Sequence, residues 1–202
     1  MYKKNIPKPL GSIHLPIAGI HNVYNTLAAL AMAYEIGIDF IIIQKSFASF
    51  AGVERRFSFI GTYKNADVFD DYGHHPKEIE YTLAVAHKRA KNNLIVVFQP
   101  HRYTRTQKLW NEFITTFGKS PIDTLIITDI YSAGEYPLDT ITSERLVNDL
   151  RMTHPLSNIH YIPLNDNFLT IKDTLKKIVQ ENDLLLFLGA GKTYQIAQEI
   201  VE

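Results

Sequence analysis

The sequence contains no cysteine, which excludes disulfide bonds, thiolate metal sites and a cysteine nucleophile. It also lacks an excess of charge of either sign, because 21 lysines and arginines balance 21 aspartates and glutamates. Such a chain has no overall electrostatic field to attract nucleic acid or anionic lipid, so we expect no nucleic-acid partner and no membrane partner. Any anion that the protein binds must be held by a local group of charges.

Long hydrophobic runs are missing as well. No apolar stretch approaches the roughly 20 residues that a membrane-spanning helix needs. The first residues are basic but are not followed by the apolar core of a secretory signal, which predicts a cytoplasmic protein. The 202 residues are 46% hydrophobic, and this content is sufficient for a buried core.

The chain from residue 57 onward alternates short runs of β-branched and aromatic residues with helix-forming segments. Strands are predicted at residues 57–63, 67–70, 94–98, 124–128, 159–162 and 184–188. Helices are predicted at residues 76–90, 104–117, 143–151 and 167–180, with one more at the C-terminal end. This alternation is typical of an α/β fold with a Rossmann-like, doubly wound and mainly parallel sheet.

The first 53 residues do not share this alternation. Their pattern predicts a strand at residues 12–17 and a helix that begins at His21 and is stopped by Gly37. A second helix is predicted at residues 41–50, although three consecutive isoleucines leave a strand open as the alternative. Because two helices and a strand cannot enclose a core, we interpret residues 1–53 as the tail of another domain and residues 54–202 as a separate domain.

Two polar segments begin where predicted strands end, and they form the candidate site. They are residues 69–76, Phe-Asp-Asp-Tyr-Gly-His-His-Pro, and residues 98–106, Phe-Gln-Pro-His-Arg-Tyr-Thr-Arg-Thr. In an open α/β sheet, ligands bind outside the carboxyl ends of the strands. Together the segments carry two carboxylates, three imidazoles and two guanidiniums. This set suits an anionic ligand, a metal-bound phosphate, or both.

The charged residues of these segments also have simpler interpretations. Asp70 and Asp71 could hold a ribose hydroxyl or a metal-bound water, but aspartates in this position often only cap the following helix. Arg102 and Arg105 are three apart and share a face if the helix has already begun there, which favours a bound phosphate or carboxylate. The alternative for the arginines is a surface cluster of salt bridges.

Other polar residues lie outside the two segments. Asn22 and Asn25 are three apart near a helix start, where two amides could contact the edge of adenine, although Asn22 could be only a cap. Residues 131–135 form an edge loop that could contribute to the site. The Gly-Ala-Gly-Lys-Thr stretch at residues 189–193 is not a phosphate loop, because Leu186 stands where that loop needs glycine. It more simply indicates close packing of a strand against a helix.

Six stretches of the chain resemble the Mur ligases, the ATP-dependent amide ligases of peptidoglycan precursor synthesis. They occur in the order of the family at residues 19–29, 52–57, 70–76, 98–106, 129–135 and 189–191. The combination of Asp-Asp-Tyr-Gly-His-His-Pro with Pro-His-Arg-Tyr-Thr-Arg-Thr is similar to the members that add L-alanine to UDP-N-acetylmuramate. A sister group that ligates a murein tripeptide typically has Phe-Ala in place of Tyr-Gly.

The resemblance implies which part of such a ligase is present. The family has a UDP-sugar domain, a central ATPase domain, and a C-terminal Rossmann-like domain for the incoming amino acid. The chain matches the third domain and the end of the second, without the phosphate loop and most of the Mg²⁺ ligands. We therefore expect ATP and Mg²⁺ as cofactors of the full enzyme, no metal site in this chain, and no turnover by the chain alone.

The resemblance also implies roles for single residues. Asn22 and Asn25 would contact adenine, Arg56 the nucleotide phosphates, and Asp71 the ribose. The pocket for the amino-acid carboxylate and the transferring phosphate would be lined by Tyr72, His74, His101, Arg102 and Arg105. The residues expected to take part in catalysis are Arg56, His74, Arg102 and Arg105.

The activity implied is the addition of L-alanine to UDP-N-acetylmuramate through an acyl phosphate, with roles in cell wall biogenesis, cell shape and cell division. A complementary N-terminal fragment is a possible partner. The alternatives are a non-catalytic nucleotide or amino-acid-binding module, the sister murein-tripeptide ligase, and a remnant without function. Lys192 departs from the family, which usually has a small or acidic polar residue after Gly-Ala-Gly.

Overall fold

A computed structural model of the chain describes residues 9–17, 19–50, 52–153 and 158–201. The basic start of the sequence lies outside these ranges. The chain divides into two compact units, Met1–Val53 and Glu54–Glu202. None of the helices within the described ranges combines the length and the apolar character that crossing a membrane requires.

The first unit contains two helices, α1 at Ile20–Glu35 and α2 at Phe40–Ala48. Gly37 follows α1 with a φ of 86°, a left-handed conformation that glycine adopts without steric cost and that ends the helix. The carboxylate of Asp39 caps α2 by accepting a hydrogen bond of 2.8 Å from the amide of Ile41. The helical prediction for the second segment is thus confirmed, and the alternative of a strand is wrong.

The strand predicted at residues 12–17 is wrong, because all six residues lie in irregular backbone. Their side chains do alternate, with Ile13, Leu15 and Ile17 less exposed than the residues between them. A strand also needs a neighbouring strand to complete its hydrogen-bond ladder. Here the carbonyl of Ser12 instead accepts a bond of 2.7 Å from the side-chain amide of Gln44.

Apolar side chains of the first unit are mostly exposed. Among its described residues only Ile43 is buried. The large hydrophobic residues with exposed side chains are Leu10, Ile20, Val23, Tyr24, Leu27, Met32, Tyr34, Ile36, Ile38, Ile41, Ile42, Phe50 and Val53. The described part of this unit therefore encloses no core of its own.

The second unit is built on one sheet of six strands. They are β1 (Ser58–Tyr63), β2 (Ala66–Asp71), β3 (Leu94–Phe98), β4 (Thr124–Ile127), β5 (Ile159–Tyr161) and β6 (Leu184–Leu188). The spatial order is β1-β2-β6-β3-β4-β5. Only β1 pairs antiparallel, with β2, and the other four pairings are parallel. The prediction of a doubly wound, mainly parallel sheet is confirmed.

Helices cover both faces of this sheet. They are α3 (Pro76–Arg89), α4 (Tyr103–Lys108), α5 (Trp110–Lys119), α6 (Ser143–Thr153), α7 (Leu169–Ile178) and α8 (Thr193–Ile200), with a 3₁₀ turn at Asp166–Phe168. One hydrophobic cluster joins α3, α5 and α6 to the sheet, and a second joins α7 and α8 to the other face. Strands β3 and β6 are completely buried, as expected of central parallel strands.

The register of the strands brings four loops to one edge. Asp71 lies beside Leu188, Leu188 beside Phe98, and Phe98 beside Ile127. The segments that follow β2, β3, β4 and β6 therefore all begin at the same level of the sheet. The two polar segments singled out in the sequence are neighbours at this carboxyl edge.

Candidate functional site

The side chain of Gln99 links three of the loops at the carboxyl edge. Gln99 is 2% exposed, and its Oε1 accepts a bond of 2.6 Å from the amide of Lys192. Its Nε2 donates to the carbonyl of Asp129 at 3.2 Å. A Cβ at Gly191 would overlap the Oε1 of Gln99, and one at Gly189 would lie 2.8 Å from its carbonyl oxygen. The Gly-Ala-Gly stretch therefore makes room for Gln99 of a neighbouring strand end, a contact that the sequence did not predict.

The two aspartates of the first polar segment do not cap the following helix. The cap of α3 is His75, whose Nδ1 accepts from the amide of Lys77 at 3.3 Å, while Glu78 accepts from the amide of His75 at 3.2 Å. Burial raises the pKa of both Asp70 and Asp71. The capping alternative for the aspartates is thus wrong, and their carboxylates have other partners.

Asp71 orders the backbone on both sides of its strand. Its Oδ1 accepts from the amide of Gly73 at 2.7 Å, and its Oδ2 accepts from the amide of Phe57 at 2.8 Å. The residue is 3% exposed. Its carboxylate therefore fixes both the turn after β2 and the segment before β1, and the ribose contact stays a prediction.

Arg55 is a site residue that the sequence did not single out. Its Nε donates to the carboxylate of Asp70 at 2.9 Å, and its Nη2 donates to the carbonyl of Gly189 at 2.7 Å. The guanidinium carbon lies 5.0 Å from the ring centre of Tyr72 and 5.1 Å from that of Tyr194. These cation–π and hydrogen-bond contacts hold Arg55 in place, where it links the end of β2 to the loop after β6. The signal that could have found it is its place beside Arg56 in the stretch at residues 52–57.

Arg56, the arginine that was assigned to the nucleotide phosphates, is held much more loosely. Its side chain is 50% exposed, and its Nη1 lies 3.5 Å from the carboxylate of Glu78. An exposed guanidinium of this kind can turn toward a phosphate. That role stays a prediction.

Arg102 and Arg105 do not share a helix face, because α4 begins only at Tyr103. Arg102 has a φ of 70°, and its Nε donates to the carboxylate of Glu135 at 2.7 Å. The hydroxyl of Thr104 donates to the same carboxylate at 2.6 Å, and its amide does so at 3.0 Å. These bonds from Thr104 and Arg102 lower the pKa of Glu135 to about 2. Glu135, in the edge loop after β4, is therefore the residue that holds Arg102.

Aromatic rings form a row along the same edge. The rings of Tyr72 and His74 meet edge to face with centres 5.4 Å apart, and His74 lies 5.5 Å from His101. The ring of His101 stacks on Tyr131 at 5.5 Å. The predicted pocket residues Tyr72, His74 and His101 are thus contiguous, and Tyr131 joins them from the edge loop at residues 131–135.

Burial and neighbouring positive charges determine the protonation of His101. The Nη1 of Arg105 lies 2.9 Å from the Nδ1 of His101. Burial, together with the positive charges of Arg105 and its neighbours, lowers the pKa of His101, so this ring is neutral at pH 7. The guanidiniums of Arg102 and Arg105 beside the row, together with the neutral imidazole of His101, suit a small ligand that carries a carboxylate or phosphate.

Asn22 and Asn25 belong to the first unit, where both lie in α1. The amide of Asn22 donates to the carbonyl of Gly19 at 3.0 Å, and the side chain of Asn25 is exposed. Their proposed contact with adenine stays a prediction. Within the part of the chain that the structure describes, no three His, Asp or Glu side chains are grouped to hold a metal ion.

Comparison with known proteins gives a consistent set of relatives. A family model described as Mur ligase, glutamate ligase domain, matches residues 55–191. A UDP-N-acetylmuramate-L-alanine ligase from Geobacter sp. (strain M21) is 44% identical over 193 residues, which are 95% of this chain and 41% of the relative. Another with the same name, from Syntrophus aciditrophicus (strain SB), is also 44% identical, over 95% of this chain and 39% of the relative. The chain spans about two-fifths of the length of these curated relatives.

Solved structures resemble the chain in the same way. The UDP-N-acetylmuramate-alanine ligase MurC from Thermotoga maritima has a TM-score of 0.68 and 27% identity, covering 93% of this chain and 38% of that protein. A murein peptide ligase from Psychrobacter arcticus has a TM-score of 0.69 at 21% identity, over 93% and 38% of the two chains. At 21% identity, the similarity to the murein peptide ligase shows a shared fold alone.

Proposed function

Because this chain belongs to the Mur ligase family, we propose that it is the amino-acid-binding portion of an ATP-dependent ligase that joins L-alanine to UDP-N-acetylmuramate in peptidoglycan precursor synthesis. The observation that carries the proposal is the row of Tyr72, His74 and His101 at the carboxyl edge, flanked by two guanidiniums. The names of the relatives at 44% identity support it. The same proposal places the protein in the cytoplasm, with roles in cell wall biogenesis, cell shape and cell division.

Arg102 and Arg105 would bind the negative groups of the reactants. In Arg102 the Nε is engaged with Glu135, so its two terminal nitrogens can form a fork with a carboxylate. The Nη1 of Arg105 contacts the ring of His101, and its guanidinium lies at the same edge. During attack of the amine on an acyl phosphate, negative charge develops on the carbonyl oxygen, and fixed cations stabilise that charge more in the transition state than in the reactants.

ATP would supply the phosphate that activates the sugar-linked carboxylate. Arg56 fits a phosphate contact, because its side chain is half exposed and its ion pair with Glu78 is long. Asp71 fits a ribose hydroxyl less readily, because it is almost completely buried. The contact of Asn22 and Asn25 with adenine is proposed for the first unit by itself. In the same proposal, most of the Mg²⁺ ligands come from the remaining part of the ligase, as the resemblance implies.

The exposed apolar surface of the first unit supports the proposal that a partner covers it. Soluble proteins seldom leave many large apolar side chains exposed on two adjacent helices. We propose that this surface packs against the remaining part of a ligase, supplied as a complementary N-terminal fragment. A chain without that part is expected to bind its ligand but not to turn over.

The first test measures binding of L-alanine to the chain. The binding is monitored by NMR, through the arginine side-chain signals during a titration. Arg105→Lys keeps the charge but removes the planar guanidinium and its contact with His101, and it should weaken binding about tenfold, in line with ~1.5 kcal/mol for a charged hydrogen bond. Arg145→Lys is the matched control, because Arg145 is exposed and its guanidinium contacts Thr140, Asp149 and the Trp110 ring, which all lie outside the proposed pocket. Equal weakening by both variants, or no binding at all, would contradict the proposal.

The second test measures phosphate release with UDP-N-acetylmuramate, L-alanine, ATP and Mg²⁺. The chain is assayed alone and mixed with a separately made N-terminal two-domain fragment of a relative. Activity in the mixture only is the expected result. Activity from the chain alone would overturn the expectation that it needs a partner. No phosphate release from either the chain alone or the mixture would favour a binding module or a remnant.

A further inference from the structure

The Nδ1 of His74 lies near two hydrogen-bond acceptors. Its Nδ1 lies 3.1 Å from the carbonyl oxygen of Tyr72 and 3.8 Å from a carboxylate oxygen of Glu78. A carbonyl and a carboxylate can only accept, so the Nδ1 of His74 must carry the proton and donate it. In the neutral ring the Nε2 is then the atom with the free lone pair.

His101 has the opposite arrangement. Its Nδ1 lies 2.9 Å from the Nη1 of Arg105, and a guanidinium can only donate. The Nδ1 of His101 must therefore accept, and the proton of its neutral ring is on Nε2. The lowered pKa of His101 agrees with this, because a protonated ring could not accept from Arg105.

We propose that the pocket holds His74 and His101 in opposite tautomers, so that His74 presents a proton acceptor and His101 a proton donor on adjacent rings. The ring centres are 5.5 Å apart, and the side chain of His74 is 20% exposed. The two rings can thus contact different groups of one small ligand. This inference deepens the proposed function and rests on it only for the identity of the ligand.

For a ligand with an ammonium group, the assignment is direct. The ammonium donates hydrogen bonds and contacts the Nε2 of His74, whereas an oxygen of a carboxylate or phosphate accepts from the Nε2–H of His101. In the proposed ligation, the Nε2 of His74 takes one proton from the ammonium, and the freed lone pair attacks the carbonyl carbon of the acyl phosphate.

The remaining electrons and protons are accounted for by the acyl phosphate itself. The new N–C bond forms as the carbonyl electron pair moves to oxygen. When that pair returns, the C–O bond to phosphate breaks and phosphate leaves with the bonding electrons. The second proton of the attacking nitrogen leaves with phosphate or to solvent. Glu78, behind the Nδ1 of His74, stabilises the imidazolium that the first transfer creates.

The tautomers can be measured on the chain without any ligase activity. Two-bond ¹H–¹⁵N correlation spectra distinguish protonated from unprotonated ring nitrogens, and single His→Asn or His→Gln variants assign the signals. His75 is an internal reference, because its Nδ1 accepts from the amide of Lys77. His74 should show Nδ1–H, the less common tautomer in water, in roughly tenfold excess, as one hydrogen bond of ordinary strength would give. His101 and His75 should show Nε2–H.

A ligand titration then tests the division of roles. L-Alanine should shift the ring signals of both His74 and His101, whereas propionate, which lacks the amino group, should shift only those of His101 and Arg105. Finding His74 as Nε2–H, or His101 as Nδ1–H, overturns the inference whatever the ligand. Equal shifts of His74 with both compounds, or none with either, overturn the assignment of the amine, and the second of these results also counts against the proposed function.

Discussion

Replacing Gly191 with alanine places a methyl group where the side chain of Gln99 now lies. The added Cβ would overlap the Oε1 of Gln99, lie 2.9 Å from its Cδ, and lie 3.1 Å from the Cβ of Tyr131. Gln99 is almost completely buried, so it cannot move aside into solvent. It must give up its bonds to the amide of Lys192 and the carbonyl of Asp129.

The cost follows from those two bonds. A buried polar group left without its partner costs about 1–3 kcal/mol, so the two losses together should destabilise the second unit by about 2–6 kcal/mol. This is a large part of the stability of an ordinary domain, which is about 5–15 kcal/mol. The effect should be local to the carboxyl edge, because the clash involves no buried residue of the hydrophobic clusters.

Unfolding in guanidinium chloride, followed by the fluorescence of Trp110, measures this loss. Trp110 is the only tryptophan of the chain and packs against the larger cluster of the second unit, so its signal reports that unit. Gly134→Ala is the matched control, because Gly134 has a φ of 86° and open space around its Cβ position. Backbone strain alone should cost the control about 1–2 kcal/mol. The reasoning is refuted if Gly191→Ala is no more destabilising than the control.

Two further substitutions test the charges of the edge. Arg55→Met leaves the buried carboxylate of Asp70 without its ion-pair partner and should cost about 3 kcal/mol in the same unfolding experiment, whereas Arg56→Met, at the exposed neighbour, should change little. Similar losses in the two variants would show that the ion pair is unimportant. Because the pKa of Glu135 is lowered from 4.5 to about 2, its contribution is complete above about pH 4.5 and is lost as the pH falls toward 2. The stability difference between the wild type and Glu135→Gln should therefore shrink over that range, and a difference independent of pH would contradict it.

The elements of the second unit could be predicted because their sequence pattern is strong and local. Continuous apolar runs at the two central strands left no other interpretation, and the helices between them have regular spacing. The break of one predicted helix at Leu109 was not visible, because the sequence on both sides favours a helix equally. The false strand at residues 12–17 has the right alternation but no strand to pair with.

The candidate site was predictable only in part. Its two polar segments were found because they follow buried strands, but the partners of their residues are distant in the sequence. Arg55 meets the carbonyl of Gly189 across 134 positions, and Gln99 meets the amide of Lys192 across 93. The sequence marked Asp70 as a helix cap or ligand, whereas it proves to be the partner of Arg55. Local spacing cannot determine such pairings, because the fold decides which loops become neighbours.

Asp71 combines a structural role at the carboxyl edge with the proposed ribose contact. Each of its oxygens already accepts one amide, from Gly73 on one side and from Phe57 on the other. A carboxylate oxygen has a second lone pair, so a ribose hydroxyl could be added without breaking either bond. The obstacle is access, because Asp71 is 3% exposed and its Oδ2 is held by the amide of Phe57, in the segment before β1. A nucleotide bound there must therefore displace part of the segment before β1, which couples the proposed ribose contact to the position of Arg55 and Arg56.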